Sequence, residues 1–204
     1  DDEEKISAAC EIISHPVSGE EKSNLAFANT KSEVEEIIRR STIALDGEQC
    51  YKALLNAGAD LGRSLQGLEY IWANENEALG RIKLPREISG IHSKFILNPV
   101  LLDCAFQTVS SFLWTSLKRN DVQLFLPYSV KRLKAFSKFP EQCYVYAKPA
   151  KGSISQISDN IEFDITVFTN EGNIVASIEG FTVARYAVPS VSAYSSKPFI
   201  RLYS

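Results

Sequence analysis

The pattern of apolar and polar positions predicts one long buried helix in the middle of the chain. From Pro99 to about Arg119 there is no glycine and no further proline, and apolar residues recur on nearly every side of the helix. Asn98 and Pro99 favour a helix start, because Asn caps free backbone N–H groups and Pro has its φ angle already set. We therefore expect a buried helix that begins at Pro99.

Strand patterns lie on both sides of this helix. Before it, GLEYIW and EALGRIKLP flank a polar turn at 74–76 and predict a hairpin. After it, apolar and β-branched residues predict four more strands, LPYSVKRLKAF, QCYVYAKP, IEFDITVFT and NIVASIEGFTVARYAV. The turn at 170–172 joins the last two. These strands are therefore expected to be mostly antiparallel.

The segments before the hairpin carry weaker signals. Residues 1–18 contain one predicted strand, ISAACEII, and residues 19–46 are polar with a short helical pattern at Lys31–Arg40. YKALLNAG, from Tyr51, has helical spacing and a stop at Gly58.

A single buried helix with five or six antiparallel strands can bury itself if the sheet curls around it. We therefore predict the α+β class and the hotdog architecture, an antiparallel sheet wrapped round a long central helix. A two-layer α+β sandwich with the helix on one side is the alternative, and the pattern alone does not separate the two.

Asp103 places an ionisable group among the apolar residues of the predicted helix. Gln107 is four positions further on and so shares its face. A carboxylate in such surroundings is either held by hydrogen bonds or kept protonated by desolvation. Asp103 is thus a candidate catalytic or ligand-contacting residue, and a structurally satisfied buried Asp is the alternative.

Composition narrows the functional classes. The net charge of −3 over 204 residues gives no basic surface of the kind that nucleic acid requires. No apolar run approaches a membrane span and DDEEK is unlike a secretory signal, so we expect a cytoplasmic protein that is a piece of a longer polypeptide. The cysteines are far apart without a CxxC pair and only two histidines accompany them, which indicates free thiols and no metal site.

Three blocks, in this order, resemble the second half of the dehydratase domain of modular polyketide synthases. GADLGRSLQGLEYIWANENEALGRIKLP resembles a Gly-x-x-Tyr-Gly-Pro-x-Phe-Gln-Gly-Leu segment followed by a Trp and an acidic turn. NPVLLDCAFQ resembles a His-Pro-x-Leu-Leu-Asp-x-x-x-Gln/His motif, and LPYSVKRL resembles a Leu-Pro-Phe-x-Val/Trp-x-x-Leu strand. With GNIVASIEGFTVARY, the resemblance covers about Tyr51 to Tyr186.

The resemblance implies the second half of a double hotdog, in which one active site lies between two fused halves. The family's first half supplies a His and its second half an Asp, which falls on Asp103. The pair removes water from a 3-hydroxyacyl group on the phosphopantetheine arm of an acyl carrier protein and leaves a 2-enoyl thioester. Gln107 would orient Asp103 or bind the substrate hydroxyl, and the domain needs no cofactor of its own.

The resemblance also implies further site residues. Substrate contacts are expected at five positions of the matched blocks, Leu61, Gly62, Asn98, Pro99 and Tyr128. HPVSG matches the start of the family's first-half motif, His-x-x-x-Gly-x-x-x-x-Pro, which makes His15 a candidate catalytic partner.

This chain departs from the family pattern at several positions. Asn24 stands where the first-half motif has Pro, and Asn98 where the helix motif has His. Leu61, Arg63 and Leu65 replace the Tyr, Pro and Phe of the Tyr-Gly-Pro-x-Phe block, which helps to shape the substrate tunnel in the family.

The expected domain organisation follows from these matches. Residues 1–46 would be a remnant of the first hotdog half and a linker, residues 47–188 the C-terminal hotdog, and residues 189–204 a linker to the next domain. The expected partners are an acyl carrier protein, neighbouring ketosynthase and ketoreductase domains, and a second copy in a homodimer.

Three functional hypotheses stay open at this point. The first is a dehydratase. The second is a dehydratase-like domain repurposed as a double-bond isomerase, a pyran-forming cyclase or a domain that assists branching. The third is a non-catalytic element that docks carrier protein or stabilises the synthase.

Overall fold

The computed structural model describes residues 30–112, 124–151, 158–186 and 200–202. The α-helices of these residues are α1 (Thr30–Arg40), α2 (Gly47–Asn56) and α3 (Pro99–Gln107). Short 3-10 helices lie at Arg63–Leu65 and Arg86–Lys94. The strands are β1 (Ile43–Asp46), β2 (Ala59–Leu61), β3 (Leu68–Ala73), β4 (Ala78–Lys83), β5 (Phe125–Ser129), β6 (Arg132–Ala135), β7 (Gln142–Pro149), β8 (Asn160–Phe168), β9 (Ile174–Arg185) and β10 (Ile200–Leu202).

An eight-stranded antiparallel sheet forms the body of the fold. Its order is β1-β3-β4-β7-β8-β9-β5, and β6 also pairs with β9. The buried side of α3, which includes Leu101, Cys104 and Ala105, belongs to the same apolar core as the sheet. The ring of Phe106 stacks on that of Phe181 in β9, with 4.3 Å between their centroids. The predicted α+β hotdog architecture is therefore confirmed.

The predicted hairpin and the four later strand regions are confirmed as β3–β4 and β5–β9, since each strand matches the expected segment with at most one residue beyond its ends. The segment LPYSVKRLKAF, however, forms two strands. The pairing of β5 with β9 shifts register between Pro127 and Ser129. The strand is then interrupted at Val130 and Lys131 before β6 begins. β1 was not predicted, because four residues carry too little periodicity to register as a strand.

The central helix is interrupted where the sequence predicts it to be continuous, because residues 108–109 form a turn before residues 110–112 become helical again. As an α-helix it ends at Gln107, and the chain then tightens, with the Val109 N–H donating to the Phe106 carbonyl only three residues back. The Thr108 hydroxyl donates to the Cys104 carbonyl at 3.1 Å, a side-chain bond of the kind that bends helices. Residues 113–119 of the predicted helix lie outside the described residues.

The helix predicted from Tyr51 begins earlier, at Gly47. Asp46 and Gln49 form a capping box in which each side chain accepts a hydrogen bond from the other residue's backbone N–H. The short helix expected at Lys31–Arg40 is confirmed as α1. Arg40 anchors α1 to the sheet by donating to both carboxylate oxygens of Glu77, which is 6% exposed.

The sequence predicts a strand near the start of the chain and a linker at its end. The predicted strand ISAACEII and residues 189–199 of the predicted linker lie outside the described residues. The residues at 200–202, also placed in that linker, pair in parallel with β2. Within the described part of the chain, no helix has the length and apolarity needed to cross a membrane.

Gly67 marks the closest approach between the loop before β3 and the core. A Cβ atom built there would lie 2.6 Å from the Lys83 carbonyl oxygen and 2.7 Å from the Cys104 sulfur. The Lys83 N–H also donates to the Gly67 carbonyl at 2.7 Å, so this backbone is held in place.

We expect Gly67→Ala to destabilise the chain by about 1–3 kcal/mol, the usual cost of overpacking a filled core. Urea unfolding measures this change. Gly90→Ala is the matched control, because a Cβ there meets nothing within 4 Å, and it should change stability by less than about 0.5 kcal/mol. Equal stability of the two variants would contradict the close approach at Gly67.

Candidate functional site

The site is positioned by the start of α3. Asn98 is 1% exposed, and its Oδ1 atom accepts from the backbone N–H groups of Val100 at 3.0 Å and Leu101 at 3.3 Å. Pro99 follows as the first helical residue. The predicted helix start is confirmed, and the Asn98 side chain is used as its cap. This cap fixes where α3 begins, and it therefore fixes where the residues one turn further along the helix lie.

Asp103 and Gln107 lie together on one face of α3, as predicted. The Gln107 Nε2 atom donates to Oδ2 of Asp103 at 2.7 Å. Gln107 is 8% exposed, whereas Asp103 is half-buried. The carboxylate is therefore held by a neutral donor in a mostly apolar setting, with its own side chain not fully enclosed.

The amide of Gln107 has further partners from other elements. Its Nε2 atom donates to the backbone carbonyl of Leu65 at 3.1 Å. Its Oε1 atom accepts from the hydroxyl of Tyr51 in α2 at 3.1 Å. The Tyr51 hydroxyl in turn accepts from the Leu68 N–H at 2.8 Å. One amide thus links α2, α3 and the loop before β3.

Burial controls the charge states around Asp103. Burial raises the pKa of the Asp103 carboxyl above its ordinary value, and the hydrogen bond from Gln107 opposes part of this rise. Burial also raises the pKa values of the Tyr51 hydroxyl and the Cys104 thiol, so both remain neutral. Asp103 is therefore the member of this cluster whose charge can change, since the other two groups stay protonated.

The cysteines behave as expected. Cys50, Cys104 and Cys143 are free and buried, and Cys10 lies outside the described residues. The Cys104 sulfur lies 3.7 Å from the Leu65 carbonyl. No group of three or more His, Cys, Asp or Glu residues suited to a metal ion occurs within the described part of the chain.

The other predicted site residues occupy different surroundings. Leu61 is 8% exposed and packs in a small apolar cluster that Tyr51 and Leu65 flank. Gly62 precedes the 3-10 helix Arg63–Leu65, which brings the Leu65 carbonyl to Gln107. Tyr128, in β5, is 74% exposed. The structure therefore connects the 61–65 block with Gln107 through the Leu65 carbonyl, and it leaves Tyr128 at the surface.

The catalytic assignment of His15 is not tested, because that residue lies outside the described range. The side chain of His92, the only other histidine in the sequence, is also outside the described part.

Tyr51 is the site residue that sequence reasoning missed. The signal available was a tyrosine in an otherwise apolar helical pattern, since a buried tyrosine hydroxyl usually needs a partner. The identity of that partner depended on packing between residues 56 positions apart.

A family model described as the polyketide synthase dehydratase N-terminal domain matches residues 30–193, well over half of the chain. Among curated proteins, the polyketide synthase PksM of Bacillus subtilis is 27% identical over 135 residues, which are 65% of this chain and 3% of that protein.

Solved structures agree with this match. A trans-AT polyketide synthase dehydratase domain from Brevibacillus brevis superposes with a TM-score of 0.68 at 23% identity, over 80% of this chain and 55% of that one. The CurK dehydratase, solved as an Asp-to-Asn inactive mutant, has a TM-score of 0.63 at 26% identity, over 76% of this chain and 53% of that one. A His-to-Phe inactive mutant of the same dehydratase has a TM-score of 0.64 at 27% identity, over 76% and 52%.

The chain spans about half the length of the solved dehydratase domains that it resembles, and a few per cent of the curated synthase. The family match and the hotdog fold agree with the resemblance found in the three sequence blocks. The chain therefore belongs to the polyketide synthase dehydratase family.

Proposed function

We propose that this chain supplies the Asp-bearing half of a dehydratase active site, which eliminates water from a 3-hydroxyacyl group on the phosphopantetheine arm of an acyl carrier protein. The observation that carries the proposal is Asp103. It lies on a capped helix, in the block that resembles the family's Asp motif, with a raised pKa and an oriented amide donor beside it.

The chemistry needs two groups with opposite tasks. A base removes the α-proton, which the thioester acidifies, and an acid protonates the β-hydroxyl so that it leaves as water. The C–O bond breaks as the α,β double bond forms. A carboxyl with a raised pKa holds a proton closer to neutral pH, so Asp103 suits the acid. Gln107 keeps that carboxyl in one orientation.

The base would be a histidine. The Asp-to-Asn and His-to-Phe forms of the CurK dehydratase are both described as inactive, which supports an Asp–His pair in a similar protein. For this chain, His15 stays a prediction as the partner of Asp103.

We further infer that the chain is the second half of a double hotdog. The Asp motif on α3 supports this assignment, whereas a length about half that of the solved dehydratase domains fits either half and the matching family model bears the description N-terminal domain. The division of the chain into residues 1–46, 47–188 and 189–204 likewise stays a prediction.

The proposed partners follow from the relatives. Because the curated relatives are polyketide synthases many times longer than this chain, an acyl carrier protein and neighbouring ketosynthase and ketoreductase domains are the expected partners. A homodimer and a cytoplasmic location belong to the same proposal.

A second candidate function rests on the altered 61–65 block. Leu61, Arg63 and Leu65 stand where the family has Tyr, Pro and Phe, and Leu61 is packed into an apolar cluster. These changes favour a repurposed isomerase, pyran cyclase or branching-assisting domain, or a non-catalytic element that docks carrier protein.

We expect Asp103→Asn to lower the dehydration rate by about 10²-fold or more, since Asn cannot deliver a proton to the leaving hydroxyl. The measurement is mass spectrometry of 3-hydroxyacyl carrier protein incubated with the 204-residue chain, alone and together with a His-bearing hotdog half.

Asp164→Asn is the matched control. Asp164 is a half-buried Asp in β8, and its Oδ1 atom accepts from the Gly180 N–H, which Asn can also do. This variant should keep the wild-type rate. Unchanged dehydration by Asp103→Asn would overturn the assignment of the acid. If no sample loses water, but a 2-enoyl carrier protein supplied in its place is converted to the 3-enoyl isomer, the isomerase would be favoured.

Stability should also respond to Asp103 in a pH-dependent way. Because its folded-state pKa is raised, the folded chain binds the proton more tightly than the unfolded chain. The stability that this supplies is full below the unfolded-state pKa of about 4 and is lost as pH rises through the folded-state value. We expect Asp103→Asn to be more stable than wild type at neutral pH, because Asn carries no buried charge there.

Urea unfolding of both proteins across the acidic to neutral range measures this difference. The advantage of the variant should shrink as pH falls toward 4, where the wild-type carboxyl is protonated. Parallel stability curves for the two proteins would show that Asp103 has no raised pKa.

A further inference from the structure

The hydrogen bonds around Gln107 have a fixed direction. The Leu68 N–H can only donate, so the Tyr51 oxygen must accept from it, at 2.8 Å. The Leu65 carbonyl can only accept, so the Nε2 side of the Gln107 amide must face it, at 3.1 Å. The single hydroxyl proton of Tyr51 is left to donate to Oε1 of Gln107 at 3.1 Å.

This arrangement restrains the amide at three points. A flip of Gln107 would set its oxygen against the Leu65 carbonyl and the Asp103 carboxylate, which are both acceptors. The Tyr51 hydroxyl restrains the opposite end, where Oε1 would otherwise be left without a donor. A buried acceptor that loses its donor costs about 1–3 kcal/mol, which favours rotation of the side chain toward a new partner.

We propose that Tyr51 is a positioning residue, which holds the Gln107 amide against Asp103 and thereby sets the protonation of the acid. The inference deepens the proposed function and rests on it, because Asp103 matters as an acid only if the site dehydrates. Tyr51 acts through Gln107, and its hydroxyl donates to the amide at 3.1 Å, not to the carboxylate.

The groups that face Asp103 determine the sign of the effect. Among the described residues, Tyr51 from α2 and Cys104 from α3 are titratable groups whose pKa values respond to Asp103, and burial keeps both neutral. Gln107 donates to the ionised carboxylate and so favours it. Removal of the Tyr51 hydroxyl should loosen that donor and therefore raise the pKa of Asp103.

The simpler alternative is that Tyr51 only ties α2 to the start of β3. Its hydroxyl accepts from the Leu68 N–H and lies 3.5 Å from the Leu65 carbonyl, so a purely structural hydroxyl is chemically reasonable. Such a role predicts a loss of stability in Tyr51→Phe with no change in the titration of Asp103. The two roles therefore differ in a quantity that can be measured.

The test is the titration of Asp103 in the 204-residue chain, followed by NMR of ¹³C-labelled carboxyl groups. In Tyr51→Phe we expect the Asp103 midpoint to rise by roughly 0.5 pH unit. In Gln107→Leu the rise should be larger, since the donor itself is gone. In the double variant, Tyr51→Phe should add nothing, because its effect passes through Gln107.

Tyr146→Phe is the matched control. Tyr146 in β7 also donates its hydroxyl to a side chain, Oε2 of Glu77 at 3.1 Å, and burial raises its pKa to about 12. Its removal costs a comparable hydrogen bond outside the Asp103 cluster. The Asp103 midpoint in this variant should match that of wild type.

The inference would be overturned if the Asp103 titration midpoint stays at its wild-type value in folded Tyr51→Phe while it rises in Gln107→Leu. If Tyr51→Phe does not fold, a fluorotyrosine at position 51 provides the second test. Its more acidic hydroxyl is a stronger donor, so it should lower the Asp103 midpoint, and an unchanged midpoint would also overturn the inference.

These outcomes are separate from those of the dehydration assay. The titration reports on Asp103 whether or not any substrate is turned over. A dehydrating chain whose Asp103 midpoint ignores Tyr51 would refute the positioning role alone. The opposite result is also informative. If the Asp103 midpoint shifts in Tyr51→Phe but Asp103→Asn still dehydrates the substrate, only the proposed function would be refuted.

Discussion

The hydrogen bond between Gln107 and Asp103 is the interaction on which the site depends. A carboxylate on a helix packed into an apolar core is costly unless a donor satisfies it. Gln107 provides that donor without adding a charge, at 2.7 Å and one helical turn away. A lysine or arginine in its place would hold the carboxylate ionised, since an opposite charge lowers a carboxyl pKa. A neutral amide leaves the pKa of Asp103 raised and the group able to carry a proton.

The rest of the fold restricts how this pair can move. The Asn98 cap fixes where α3 begins, and Gly67 lets the loop before β3 approach the Cys104 sulfur more closely than a side chain would allow. The same loop brings the Leu65 carbonyl within reach of the Gln107 amide. Tight packing around one helical turn therefore holds the Asp103 carboxylate in place without a charged partner.

Local signals in the sequence predicted much of this arrangement. Asn98 and Pro99 are neighbours, and Asp103 and Gln107 are one turn apart, so the helix start and the shared face follow from spacing alone. These features need no knowledge of what packs against them, and each was confirmed.

The features that were missed depend on contacts between distant parts of the chain. The contact between Tyr51 and Gln107 joins residues 56 positions apart, and no spacing rule connects them. The interruption after α3 coincides with the Thr108 hydroxyl, which donates to the Cys104 carbonyl of its own helix at the place where Gly80 of β4 packs closely against it. Helical periodicity cannot detect this, because the apolar pattern continues beyond the break.

The Asp103 cluster is assembled entirely from α2, α3 and the segment between Arg63 and Leu68, all within this chain. Its donors are backbone groups and neutral side chains, which stay charge-neutral whatever occupies the opposite side of the site. The proton affinity of Asp103 is therefore largely set before a base or a substrate arrives. If Asp103 is the acid of the proposed function, this is the preorganised arrangement that general acid catalysis favours, since an oriented acid needs little rearrangement in the transition state. An active site divided between two halves can then place the base on a separate unit, because the acid does not depend on the base for its orientation.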